Sequence, residues 1–396
     1  MTLGALIGAY QEGEGGALAA LTPLAGRTLV EYQARCAAAA GASPIVILVE
    51  TVPIALAAAF ERLRAEGVNV VPVSDGNEAA ARFEPHSLIL QMADGMAPAF
   101  ALVERLAGAG EAVVATVPDD SEHEHFERID NDRRWAGLAV AQAGTLSSTA
   151  SMLGDWDLQS TLLRRTIQAG ALPIAVGVGL TPFLANSGGG DAQQFDRKLL
   201  IASRRARRDW PSRFVFPPIE EFATERLMHS PVRPSWLVIA ALAMIVAAAV
   251  CFSQGWAWPA LVLLLLASPL ELVAERLGQL RLQPLASASL ARRLLWPASG
   301  VALIALGWWE AVHGSGWGAL VAALGAAAFG EAQRNEAAGP NPPPFETWLF
   351  SWRSATLVAL PFAALGAWDV LLAALAVYAM ASFFLVQHWV HRPNRD

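Results

Sequence analysis

Residues 236–254 read Trp236-Leu237-Val238-Ile239-Ala240-Ala241-Leu242-Ala243-Met244-Ile245-Val246-Ala247-Ala248-Ala249-Val250-Cys251-Phe252-Ser253-Gln254, and this stretch decides the architecture. A helix crossing the ~30 Å hydrocarbon layer of a bilayer needs about 20 mostly apolar residues. The quoted run has that length and carries no charge. Outward toward the C-terminus, comparable runs follow at 257–274, 294–312, 317–331, 347–366 and 369–390. The one at 317–331 is short and rich in Gly and Ala, which suits close helix packing. Trp256, Trp258, Trp296, Trp308, Trp309, Trp317, Trp348, Trp352, Trp368 and Trp389 fall near the ends of the runs, where an amphipathic indole prefers to sit. The pattern predicts an all-α, six-helix transmembrane domain over 235–396. Composition agrees, because only 16% of the 396 residues are charged, against about 25% in soluble domains.

Loop charge predicts orientation. Arg204, Arg205, Arg207, Arg208, Arg213, Arg226 and Arg233 precede the first run, Arg276, Arg281, Arg292 and Arg293 separate the second from the third, and Arg392 and Arg395 follow the last. The alternate loops at 253–255, 313–316 and 366–367 carry no Arg or Lys. The positive-inside rule then places both termini in the cytoplasm of a multi-pass protein of a bacterial-type inner (plasma) membrane. Arginines 204–208 read as positive-inside determinants and contacts to membrane-lipid phosphates.

Outward toward the N-terminus, residues 1–195 contain no run long enough to span a bilayer. Met1-Thr2-Leu3-Gly4 has no basic region and no long apolar core, so no secretory signal is expected there. Short apolar runs alternate instead with alanine-rich ones. Strands are expected at 3–9, 44–49, 69–73, 87–91 and 112–117. Helices are expected at 28–40, ending at Gly41, at 53–66, ending at Gly67, at 77–83 and at 98–107. This alternation predicts a three-layer α/β domain, Rossmann-like, with a mostly parallel sheet. The domain plan is 1–185 for the α/β domain, 186–234 for a linker and juxtamembrane amphipathic segment, and 235–396 for the membrane domain. Ligands of such sheets bind beyond the carboxyl ends of the strands, which singles out the glycine loop at 8–16 and the turn at Asp94.

Net charge is −7, from 28 Lys+Arg against 35 Asp+Glu, which argues against nucleic acid as a partner. Two cysteines, Cys36 and Cys251, are too few for a disulfide scaffold or a cysteine metal site. Lys198 is the only lysine, so lysine chemistry has almost no place in a mechanism.

After the first expected strand and its glycine loop comes Leu21-Thr22-Pro23-Leu24-Ala25-Gly26-Arg27-Thr28-Leu29. Over roughly residues 1–185 this resembles a sugar-nucleotide-type nucleotidyltransferase domain. The resemblance implies a loop wrapped around a nucleoside triphosphate such as CTP, with Gly8, Gly13, Gly15, Gly16, Arg27 and Asp94 as nucleotide-binding residues and Asp94 as the Mg²⁺ ligand. The family's basic loop residues have no counterpart here. Glu12 and Glu14 stand in the loop, where each would repel a phosphate by about 1–4 kcal/mol at close range. The family's second acidic segment falls on Gly177-Val178-Gly179-Leu180-Thr181-Pro182. One carboxylate is a poor Mg²⁺ site, so strong metal binding is not expected, and Asp94-Gly95 also reads as an ordinary strand-to-turn pair.

Asp209-Trp210-Pro211-Ser212-Arg213, Pro217-Pro218 and Pro231-Val232-Arg233-Pro234, followed by six apolar runs, resemble the membrane domain of CDP-alcohol phosphatidyltransferases. Joined to a nucleotidyltransferase-type domain, the arrangement resembles the bifunctional enzymes of inositol-phosphate metabolism. The resemblance lays Glu271 and Arg276 on catalytic positions of the family signature, and the remaining signature positions on Leu285, Ser289 and Arg293. Residues 277–309 contain no Asp or Glu, so the carboxylates that would hold two metal ions against a pyrophosphate are missing. Glu271 and Glu275 sit one turn apart on one helix face, with Arg276 or Arg281 as expected partners in an interfacial ion pair. A residual metal or headgroup site is the alternative.

Ser121-Glu122-His123-Glu124-His125-Phe126-Glu127 reads as an acidic solvated loop, although His123 and His125 invite a metal reading. His229, His313, His388 and His391 fall at expected membrane interfaces. Two functional readings remain open. One is a degenerate pair of domains acting as a binding or regulatory partner in phospholipid and CDP-alcohol metabolism. The other is an active bifunctional cytidylyltransferase/CDP-alcohol phosphotransferase, a transferase of phosphorus-containing groups, with substituted site residues. The small-residue face Gly318, Ala322, Gly325 and Gly330 permits a homodimer through the membrane domain.

Overall fold

The computed structural model describes residues 2–13, 16–152, 157–177, 179–185, 194–195, 197, 199–200, 209–228, 230, 232–282, 290–314, 316–337, 343 and 345–391. Glu14, Gly15, Lys198, the arginines at 204–208, His229, Leu285, Ser289, Arg392 and Arg395 lie outside the described residues. The chain divides into two compact units, residues 1–202 with 280–282 and residues 203–279 with 283–396. The division falls inside the segment expected to link them.

The N-terminal unit runs β1 (Leu3–Gly8), β2 (Pro23–Leu24), β3 (Arg27–Thr28), α1 (Leu29–Ala39), β4 (Ile45–Leu48), α2 (Ile54–Ala65), β5 (Val70–Val73), α3 (Gly76–Ala81), β6 (Leu88–Met92), β7 (Met96–Ala97), α4 (Phe100–Ala107), β8 (Val113–Pro118), β9 (Glu127–Arg128), β10 (Arg133–Gln142), α5 (Ala143–Ala150), α6 (Leu158–Gln168), β11 (Leu172–Ala175) and β12 (Phe183–Leu184). The large sheet has the order β11-β8-β10-β6-β1-β4-β5, with β9 alongside β10. The pairs β1–β4, β1–β6, β4–β5 and β8–β11 are parallel. β10 runs antiparallel to β6, β8 and β9.

Side chains alternate across a strand, and here both faces are covered. Ala5, Ile7, Ile45, Ile47, Leu90 and Met92 pack into one core with α1, α2 and α4. Leu6, Val46, Leu48 and Ile89 pack into another with α3, α5 and α6. Two-sided burial is why these strands read as continuous apolar runs rather than alternating ones. Helix ends follow local chemistry. Thr28 and Glu31 form a reciprocal capping box at the start of α1, Asp75 caps α3 and Asp157 caps α6. Gly41 (φ +87°) and Gly67 (φ +85°) follow α1 and α2 in the left-handed region that a side chain would oppose. Glu31 is fully buried, bridging Thr28, Arg62 and Arg35.

The acidic stretch at 121–127 is largely a turn-built loop in which Ser121, Glu122 and Glu124 are exposed, as expected of a solvated loop. Within it His123 is buried, with its Nδ1 2.6 Å from Asp120 Oδ1, and the His125 ring lies tilted against Phe126 with ring centroids 4.4 Å apart. Arg134 on β10 ties the stretch down by donating to the carbonyls of Glu124 and Phe126 and to Asp119.

The C-terminal unit is helical. A wide turn at Pro211–Val215 leads into α7 (Pro217–Met228). Then come α8 (Pro234–Ser253), α9 (Ala257–Leu280), α10 (Leu290–His313), α11 (Trp317–Glu336), α12 (Trp352–Ala364) and α13 (Trp368–Val390). Four of these, α8, α9, α10 and α13, are long and apolar enough to cross a membrane. That is fewer than the six spans expected. α12 has only 13 residues, because Glu346–Trp348 forms a separate turn before it. At 1.5 Å per residue it reaches about 20 Å. α11 has the length, but it is built largely of Ala and Gly and its last turns carry Glu331, Arg334 and Glu336.

Val246, Val250, Leu266, Val301, Val377 and Phe384 point outward and are about half exposed or more, the surface expected of helices whose solvent is lipid. Trp236, Trp256, Trp258, Trp308, Trp317 and Trp348 are likewise exposed at or beside helix ends. α11 packs most heavily against α13, and α10 against α8 and α11. Of the small-residue face on α11, Gly330 is already filled by the Phe350 ring of the same chain, whereas a side chain at Gly318 or Gly325 would meet nothing within 4 Å.

Candidate functional sites

In the N-terminal unit the strand order reverses between β1 and β6, and the crevice beyond the carboxyl ends of such a pair is the usual ligand position in an open α/β sheet. Gly8 ends β1 and Asp94 follows β6, so the two meet there. Asp94 Oδ2 accepts hydrogen bonds from the backbone N–H groups of Tyr10 (2.6 Å) and Gln11 (2.7 Å). Its Oδ1 is buried without a partner among the described residues. Gln159 of α6 completes the arrangement: its amide donates to Met92 O (2.7 Å) and accepts from Asp94 N (3.2 Å). Tyr10 donates its hydroxyl to Asp157 at 2.5 Å. The loop closes on itself, with Gly13 N donating to Ala17 O (2.7 Å) and Gly16 N to Gly13 O (3.3 Å).

Of the residues expected to hold a nucleotide, the structure thus brings together Gly8 and Asp94, with Gly13 and Gly16 in the adjoining loop. Arg27 lies elsewhere in the charge pattern, where its charged neighbours include Glu31, Arg35, Glu66 and Arg62. Tyr10, Asp157 and Gln159 had no local signature, since Gln159 reaches the site from 67 residues beyond Met92. Among the described residues Asp94 offers a divalent cation one carboxylate oxygen here, the other being engaged by the loop. A hard cation takes about six oxygens, so this donor set does not fit one.

Burial pushes the Asp94 carboxyl above the usual aspartate range, against the opposing pull of the Gln11, Tyr10 and Gly95 N–H groups. The native state therefore holds this proton longer than the unfolded chain does. The contribution of Asp94 to stability falls as pH rises through and above about 3.9, the unfolded value. Asp94→Asn, neutral at every pH, should be less stable than the wild type. Its deficit should be largest near pH 4 and shrink as pH rises, measured by urea unfolding of the full chain in detergent. A deficit that grows with pH would show that folding favours the carboxylate.

In the C-terminal unit Glu271 and Glu275 lie one turn apart on α9, as their spacing predicts. Their counter-ions come from other helices. Glu271 Oε2 pairs with Arg353 Nη2 of α12 at 2.5 Å, and Glu275 Oε1 with Arg292 Nη2 of α10 at 3.4 Å. Arg276, expected as a partner for these carboxylates, faces the other way and pairs with Glu220 of α7 at 3.6 Å, both side chains being almost fully buried. Residues five apart on a helix do not share a face, which is why sequence proximity misleads here. Arg353 also reaches Asp209 at 3.3 Å.

Around this pair lies a cavity of about 440 Å³. Arg292, Arg293, Arg334 and Arg353 line it, against one carboxylate, Glu271. Trp296 and Trp352 form part of its wall, their rings edge-to-face with centroids 5.6 Å apart. Both indole Nε1 atoms are buried with no acceptor among the described residues. Pro269 and Pro297 lie within α9 and α10 close by, each removing a helix hydrogen bond beside the cavity. Among the described residues no three His, Cys, Asp or Glu side chains converge to hold a metal ion. A lining of four cations and one anion does not fit a divalent cation, and no metal step is derived from it. What it fits is an anion.

Comparison with models of known protein families gives no match, and no curated protein matches the sequence.

Proposed function

We propose that the chain is a membrane protein of phospholipid and CDP-alcohol metabolism that binds its phosphate-bearing ligands without transferring them, as a binding or regulatory partner of active enzymes. The observation that carries the reading is the charge of the cavity at Glu271. Metal-assisted attack on a pyrophosphate needs several carboxylates to hold the cations. Among the described residues the cavity is lined by four arginines and one carboxylate, which is already paired with Arg353; the other carboxylates that pair with these arginines, Glu275, Glu331 and Asp209, stand outside the lining.

The proposal takes the helical unit as six crossings of a bacterial-type inner membrane, with both termini cytoplasmic. Support comes from the basic part of the cavity lining: Arg292 and Arg293 stand at the start of α10, Arg353 at the start of α12 and Arg334 near the end of α11. Helices that alternate in direction bring such ends to one face, and those ends adjoin the arginine-rich segments. In the N-terminal unit the proposal assigns the crevice at Gly8 and Asp94 to a nucleotide such as CTP. Its position at the reversal of strand order supports this assignment.

The test uses the full chain in neutral detergent, titrated calorimetrically with CTP and with a CDP-alcohol, with and without Mg²⁺, while CMP release is followed. The expected result is binding that does not depend on Mg²⁺ and no CMP release. Mg²⁺-dependent CMP release would overturn the proposal and establish an active CDP-alcohol phosphotransferase.

A further inference from the structure

We propose that the cavity between α8, α9, α10, α11 and α12 is a binding site for a phosphate ester, held by a guanidinium–indole cradle in which Glu271 is the resident counter-anion that the ligand displaces. The inference rests on reading this cavity as an anion site. It does not depend on whether the chain turns over a CDP-alcohol.

Donor count argues for it first. A guanidinium and an indole N–H donate only. Arg292, Arg293, Arg334 and Arg353 therefore present an excess of donors, and the buried Nε1 atoms of Trp296 and Trp352 add two more that have no acceptor among the described residues. A buried donor left without an acceptor is costly, and two side by side in one cavity wall mark the place of an acceptor-rich group. The hydroxyls nearby do not supply it. Ser268, Ser299 and Thr356 donate to Leu264 O, Leu295 O and Trp352 O of their own helices, and none of their oxygens accepts from either indole N–H.

Charge comes next. Arg292 is shared with Glu275 at 3.4 Å and Arg353 with Glu271 and Asp209. Arg293 makes no ion pair among the described residues. Arg334 pairs with Glu331 at 3.5 Å and lies over the Trp296 ring with its guanidinium carbon 5.3 Å from the centroid, which keeps its charge against the same wall. Among the described residues Glu271 is the single anion in the lining, and its carboxylate occupies the Arg353 guanidinium much as a phosphate oxygen would. Size points to an ester, because about 440 Å³ falls within the range of pockets for whole small ligands. The phosphate can belong to a lipid headgroup or to a water-soluble ester, and the chemistry of recognition is the same for both.

The experiment uses the full-length protein in EDTA, so that no metal contributes. One arm titrates inorganic phosphate and glycerol phosphate in neutral detergent. The other compares nanodiscs of phosphatidylcholine alone with nanodiscs that also contain phosphatidic acid. Both arms read the shift in thermal unfolding. A shift in the first arm assigns a soluble ester and a shift only in the second assigns a headgroup; either supports the site. Trp296→Phe and Trp352→Phe keep the rings and remove the donors, and each should weaken binding about tenfold. Glu271→Gln should tighten binding about tenfold, because it removes the competing anion, whereas a purely structural ion pair would give loss. Arg293→Gln, at an exposed position, should weaken binding about tenfold and serves if an indole variant fails to fold. Absence of a shift with every probe overturns the proposal, as does a shift unchanged by the Trp and Arg293 substitutions. CMP release in the earlier assay would overturn the non-transferring reading and leave this one standing.

Discussion

Glu31→Ala should destabilise the N-terminal unit by about 3–5 kcal/mol, the range for breaking a buried ion pair from one side. The side chain is completely buried. Its Oε1 accepts from Arg62 Nε at 2.9 Å, and its Oε2 from Arg62 Nη2 at 2.9 Å, from Thr28 N at 3.0 Å and from Thr28 Oγ1 at 2.8 Å. Arg35, itself buried, lies 3.6 Å away. Alanine removes the partner of two arginines and one half of the capping box that starts α1. Arg35 keeps its bonds to Glu66 at 2.9 and 3.1 Å, which holds the loss to the lower part of that range. Glu31→Gln preserves the shape and should cost less.

The pH dependence of Glu31 has the opposite sign to that of Asp94. Burial pushes the Glu31 carboxyl up, but the Arg62 and Thr28 hydrogen bonds and the Arg35 charge outweigh it, and the group titrates below the ordinary glutamate value. The stability it contributes is present above about pH 4.3 and is lost as pH falls below it. Hydrogen exchange of the α1 amides in the full-length protein measures both effects. Wild-type protection should fall steeply below about pH 4, and Glu31→Gln should flatten that fall. An α1 that exchanges at the wild-type rate in Glu31→Ala would show that the bridge contributes nothing.

The contrast between Glu31 and the membrane arginines shows what a sequence discloses. The expected strand at 44–49 is Ile45–Leu48, that at 69–73 is Val70–Val73, and the helix stops fall at Gly41 and Gly67. These features are local: an apolar run buried on both faces, and a glycine that ends a helix. The same locality singles out Gly8 and Asp94, which adjoin at the carboxyl ends of the neighbouring parallel strands β1 and β6. It does not find β10, whose Arg133–Gln142 lacks clean alternation and whose place between β6 and β8 depends on pairing with distant strands. Nor does it find Arg134 of β10, whose bonds to the carbonyls of Glu124 and Phe126 anchor the acidic loop from ten and eight residues away. The Arg353 partner of Glu271 lies 82 residues away, and the Trp296–Trp352 pair joins helices that are not consecutive. Tryptophans near helix ends suggest an interfacial belt. For Trp236 and Trp256 that fits their exposure, but Trp296 and Trp352 turn inward to the cavity. Burial and direction are tertiary properties, and no window along the chain contains them.

Gly8→Val should unseat the loop that follows β1, although valine is a favoured strand residue and local propensity alone predicts no harm. A Cβ at this position would lie 2.9 Å from Asp94 Cβ and 3.0 and 3.1 Å from the side-chain amide of Gln159. Neither neighbour can yield cheaply. Gln159 is held by Met92 O, by Asp94 N and through its own carbonyl by Gln91. Asp94 is held by the N–H groups of Tyr10 and Gln11. Overpacking of this kind costs about 1–3 kcal/mol. Relief by moving Asp94 gives up two charge-assisted hydrogen bonds worth about 1.5–3 kcal/mol each. The cheaper escape is release of the loop, so the Tyr10 and Gln11 amides should exchange at least about tenfold faster in Gly8→Val, while amides in the middle of β4 and β6 stay protected. Gly8→Ala should show the same pattern more weakly. If β4 and β6 lose protection together with the loop, the glycine serves the sheet as a whole and the Asp94 clamp has no separate standing. If the loop alone is released and CTP binding disappears with it, the closed loop is the form that receives the nucleotide.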